Sequence, residues 1–166
     1  MRFKHLLATL TASGATLLAA VPAAHAATGV AYDISGSYVA GAAGEGTFAY
    51  TYDGTASCAA NCTGAPSAGT FTLGLGGPIL HPPNPCLSRR VSGSLTVSWS
   101  DATTTTATLA GRLRDRKGFS LSGSVTGGTN PFYPPDPIKG FVSVPPNPCV
   151  ADSFTGSFTL FPPDPI

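Results

Sequence analysis

Catalysis by side chains needs titratable groups that converge, and this chain is short of them. Its three histidines are His5, His25 and His81, and Glu45 is its sole glutamate. A Ser-His-Asp relay in the processed chain would have to use His81, which sits among prolines and reads as an exposed loop histidine. No catalytic residue is assigned. Asp136 and Asp164 occupy matching places in a repeated Pro-Pro-Asp-Pro-Ile segment. They could share one end of a fold, but Pro-Asp-Pro is first of all turn chemistry. No EF-hand spacing accompanies them, so neither calcium nor any other metal or cofactor is implied.

Aromatic residues next to those repeats suggest binding instead. Phe132, Tyr133 and Phe161 immediately precede the two Asp-containing segments, so one rim is expected to carry rings on a stiff proline frame. Together with Asp136 and Asp164 they form the candidate ligand-binding set, with rings able to stack on sugars or to plug the rim. A second segment, Pro82-Pro83-Asn84-Pro85-Cys86-Leu87, is an extended loop braced by a cysteine. It is the alternative site, a preformed inhibitory loop for the cleft of an extracellular protease.

The four cysteines, Cys58, Cys62, Cys86 and Cys149, lack paired CxxC knuckles, which disfavours tetrahedral zinc. An even number in an exported chain predicts two disulfides. Export itself is read from the first 26 residues. They hold a basic start with Arg2 and Lys4, an apolar stretch from Leu6 to Val21, and the small-x-small site Ala24-His25-Ala26. Residues 27–166 are then expected to form one domain, located outside the cell. With Arg2 and Lys4 gone, seven Lys and Arg stand against eight Asp and Glu, a balance that implies no nucleic-acid partner. No apolar run long enough to span a membrane as a helix follows the leader.

The elements that must position these residues show a period of two. In Val91-Ser92-Gly93-Ser94-Leu95-Thr96-Val97-Ser98-Trp99-Ser100 every even position is Ser or Thr. Ala107, Leu109, Gly111 and Leu113 continue the alternation, as do Phe119, Leu121, Gly123 and Val125. Half-buried antiparallel strands joined by short turns follow from this. Seven runs share one device, a glycine two places before a large apolar residue: Gly36, Gly46, Gly69, Gly93, Gly111, Gly123 and Gly156 begin them. An eighth run, Gly140-Phe141-Val142-Ser143-Val144, breaks it with adjacent apolar residues. Inward glycines suit a sheet that coils and closes. The expectation is an all-β fold, a small antiparallel up-and-down β-barrel of about eight strands, with a two-layer β-sandwich as alternative.

In an up-and-down order, loop parity assigns the repeats to ends. The two Pro-Pro-Asn-Pro-Cys segments follow strands three and seven, and the two Asp-containing segments follow strands six and eight. Cys86 is thereby expected to pair with Cys149, and Cys58 with Cys62. The same parity sends Arg89, Arg90, Arg114, Arg116 and Lys117 to one end. Asp53, Asp101, Asp136 and Asp164 go to the other. A membrane barrel would be apolar outside and polar inside with aromatic girdles, and the glycine-marked apolar face fits a soluble interior better. The sequence therefore implies a secreted, non-catalytic binding or cell-surface-associated protein with an extracellular ligand or protein partner. The alternative is an enzyme inhibitor using residues 82–87.

Overall fold

The computed structural model describes residues 29–79, 88–115, 117–131, 136–144 and 152–161. They form eight strands: β1 (Val30–Gly44), β2 (Thr47–Ala60), β3 (Ala68–Pro78), β4 (Arg90–Trp99), β5 (Thr104–Arg114), β6 (Gly118–Gly128), β7 (Pro137–Ser143) and β8 (Asp152–Leu160). Each pairs antiparallel with its sequence neighbours, and β8 returns to β1 through Val30↔Leu160 to Tyr38↔Asp152. The fold is a closed up-and-down barrel, and the sandwich alternative is set aside. Closure leaves no strand at an edge of the sheet, although β1 runs on past its pairing with β8, which stops at Tyr38.

Alternation places the two faces. Along β4, Val91, Leu95, Val97 and Trp99 are buried while Ser92, Ser94, Thr96 and Ser98 are exposed. The run that breaks the sequence pattern keeps the period too. In β7, Ile138 and Val142 are buried with Gly140 between them, and Phe141 is the outward residue, 36% exposed. Adjacent apolar residues there mean one inside and one outside, since a strand cannot turn both inward.

The inward glycines are sites of close approach. At Gly93 a β-carbon would overlap the carbonyl oxygen of Gly74 on β3, and at Gly123 that of Thr108 on β5. The obstacle is therefore the backbone of the next strand, and not the core side chains that inward parity alone suggests. One of the glycine assignments changes. Gly46 has φ +68° in the turn between β1 and β2, so it serves the hairpin. The inner glycine of β2 is Gly54, paired with Gly36 across β1.

Large side chains fill the lumen, as the diameter of an eight-stranded barrel allows. Tyr32, Tyr38, Tyr50, Tyr52 and Phe119 are fully enclosed. Near the end where β4 and β8 finish, Tyr32 packs on Trp99 and Phe158 with ring centroids 4.6 and 5.1 Å away. Deeper in, Tyr52 meets Tyr38 at 5.0 Å and Phe154 at 4.9 Å. Tyr50 meets Phe119 at 5.3 Å. Two polar tips find partners, Trp99 Nε1–H donating to Thr105 Oγ1 (2.9 Å) and the Tyr32 hydroxyl to the Pro66 carbonyl (3.1 Å), whereas the buried Tyr52 hydroxyl has none among the described residues.

At the end of β2, Cys58, partly buried against the core, forms a disulfide with Cys62. Cys86 and Cys149 lie outside the described residues, as do residues 1–28 with the expected leader.

Candidate binding surface

Of the expected rim set, Asp136 and Phe161 are described, and Phe132, Tyr133 and Asp164 lie outside the described residues. The topology brings the two together, because β7 begins where β8 ends and the Phe161 amide donates to the Pro137 carbonyl at 3.1 Å. Phe161 is half-buried, and the Lys139 ammonium stands 5.5 Å from its ring centroid, a cation–π contact that already occupies one face. Asp136 is buried at 4% exposure. Its Oδ2 has no hydrogen-bond partner among the described residues, and desolvation pushes its carboxyl pKa above the ordinary value. Residues 82–87 of the expected inhibitory loop lie outside the described residues.

The other titratable groups of the interior are locked. Desolvation raises the Tyr32 and Tyr50 hydroxyls to about 12, with Asp101 adding to the first and a backbone hydrogen bond at Ser88 opposing the second. Tyr38 and Tyr52 are raised further, again first by burial and then by neighbouring tyrosines. None can give up a proton near neutral pH. On the surface, Asp101 accepts from the Thr103 hydroxyl (2.7 Å) and amide (2.9 Å), which lowers its pKa. That is a turn stabilising itself. Asp53, expected at one end, instead sits mid-wall on β2, accepting from Thr72 Oγ1 at 2.6 Å. Among the described residues no three His, Cys, Asp or Glu side chains group as metal ligands.

A feature that local sequence patterns do not reveal is carved into the outer wall. Strand register aligns Gly76, Ser92, Ala110 and Ser122 in one lateral row across β3, β4, β5 and β6. All four residues are small, so the row is a trough. With strands about 4.8 Å apart it runs about 14 Å around the barrel. The adjacent row, nearer the end where β3 finishes, reads Arg90, Arg112, Ser120, and Arg114 follows two residues along β5. Arginines beside a trough make a groove of about 520 Å³, within the range of ligand sites. Arg90 and Arg112 are direct cross-strand partners, an arrangement of like charges that costs stability. No described carboxylate forms an ion pair with Arg90, Arg112 or Arg114. A smaller depression of about 280 Å³ lies mid-wall beside Asp53, Thr72 and Thr96.

Comparison of the chain with models of protein families, with curated proteins and with solved structures gives no match.

Proposed function

We propose that this is a secreted, non-catalytic binding protein that uses the outside of a solid barrel. The observation that carries the reading is the side-chain-filled lumen: an eight-stranded barrel acting as a carrier keeps its interior open for a ligand, and here four tyrosines, Trp99 and Phe158 occupy it. The wall is the surface left for recognition, and its groove combines three guanidinium groups with serine hydroxyls. Secretion is supported by the basic-apolar-small order of the first 26 residues and by the Cys58–Cys62 disulfide, a bond that persists in oxidising compartments. The outward Ser and Thr of β4 to β6 are the reverse of a lipid-facing wall, which would be an apolar band.

A broad screen of the protein against ester, glycoside, peptide and phosphoester substrates tests the reading. No turnover is expected. Turnover abolished by a single Asp substitution, such as Asp53→Asn, would overturn it.

A further inference from the structure

We infer that the groove bounded by Arg90, Arg112 and Arg114 binds an acidic oligosaccharide, with its carboxylate or sulfate groups on the guanidinium row and its hydroxyls on the serines of the trough. The inference rests on the binding reading above and names its ligand. Three features of the wall lead to it.

The first is charge without a partner among the described residues. Arg90 and Arg112 face each other across β4 and β5 with no described carboxylate between them. Placing like charges directly opposite is unfavourable in the empty protein. An oxyanion lying between the two forks would reverse the sign of that interaction and accept bidentate hydrogen bonds from either. Arg114, about 7 Å further along β5 by strand rise, lies too far on to close around the same small group. It suits a second acidic unit of a chain.

The second is the floor. Gly76 and Ala110 present almost no side chain, so a ring can approach the sheet backbone closely, and Ser92, Ser120 and Ser122 offer hydroxyls that both donate and accept. That is the complement of a polyol. The trough runs across four strands, long enough for several sugar units and longer than a free inorganic anion needs.

The third is what the groove lacks. Among the described residues no aromatic ring lines it, so they offer the bases of a single-stranded nucleic acid nothing to stack on. Without Arg2 and Lys4, seven Lys and Arg stand against eight Asp and Glu, a balance that does not suit a polyanion tracked by charge alone. Among the described lining residues the one branched apolar side chain is the buried Val91, so they supply no apolar anchor of the kind typical of a protein interface.

The test is calorimetric titration of the purified chain at 150 mM salt with four probes: an oligogalacturonate, a sulfated oligosaccharide, a neutral glucan of the same length, and a short oligonucleotide. Binding is expected for at least one of the first two, and which of them binds tells carboxylate from sulfate. Arg90→Gln and Arg112→Gln should each weaken it at least tenfold, and the double variant should abolish it. Arg89→Gln removes the same charge outside the groove and should change affinity less than twofold. Near-ultraviolet circular dichroism and Trp99 emission verify that each variant is folded, and Arg112→Lys separates loss of the fork from loss of charge. The inference is overturned if neither acidic sugar binds, if the double variant binds as the parent does, or if Arg89→Gln is as damaging as Arg112→Gln. Binding of the neutral glucan alone would overturn the ligand class and leave the binding reading standing, whereas turnover of any probe would overturn that reading itself.

Discussion

Gly93 and Gly123 sit where neighbouring strands pass too close for any side chain. A methyl group at either would strike a carbonyl oxygen of the adjacent strand, and a backbone atom cannot swing away. Overpacking of this kind costs about 1 to 3 kcal/mol, against a gain of about 0.4 to 1 kcal/mol from restricting the unfolded chain. Gly93→Ala and Gly123→Ala should therefore each lower the denaturation midpoint. Ser94→Ala and Ser124→Ala, on the exposed face, should change stability by less than about 0.5 kcal/mol. Stabilisation by the glycine replacements in urea melts would contradict the close approach. Asp136 tests burial in a different way. Its folded pKa lies above the ordinary 3.8, so the native state holds the proton more tightly than the unfolded one. Its favourable contribution is complete below that ordinary value and is lost as pH rises through the folded pKa. Asp136→Asn should accordingly raise the melting temperature at pH 7 and have little effect at pH 3. An equal gain at both pH values would show that charge is not the cause.

At the scale of strands and loops, parity does the organising. β3 and β7 end at the same rim in the closed order, so the segments bearing Cys86 and Cys149 leave the wall at one end. Peptide mapping without reduction should link Cys86 to Cys149 as well as Cys58 to Cys62; any crossed pairing contradicts it. In the chain-entropy account the long closure contributes about 4 kcal/mol and the five-residue ring about 2, so Cys86→Ser with Cys149→Ser should destabilise the barrel more than loss of the local ring. Strand number, inner face and order were all legible in the alternation, because period two is local and survives whatever the neighbours do. Two readings of the β2 glycines failed for equally physical reasons. A glycine before Thr47 and Phe48 has the same triplet whether it bends a wall or completes a turn, and only its positive φ tells which. Gly54 escaped notice because the inward residue two places on is the small Ala56. The groove was out of reach altogether. Gly76, Ser92, Ala110 and Ser122 are spread over 47 positions of sequence, and they become neighbours only through the register of three hairpins.

For the whole molecule, a filled interior divides the labour between inside and outside. The buried aromatics and the closed sheet hold the shape, and the hydroxyl-rich wall with its arginine groove is free to vary its contacts without disturbing them. Trp99 reports on the inside because it is the single tryptophan, is 4% exposed and packs on Tyr32 and Phe158. The decisive measurement is a ¹H–¹⁵N spectrum of the protein titrated with an acidic oligosaccharide and, separately, with apolar ligands such as a long-chain fatty acid. Binding at the wall predicts that the acidic sugar moves the amides of Ser92, Ala110, Arg112 and Ser122 and leaves the Trp99 indole resonance in place, and that the fatty acid moves none of them. A displaced Trp99 indole together with Phe119 and Leu109 would put the ligand in the lumen and contradict the account.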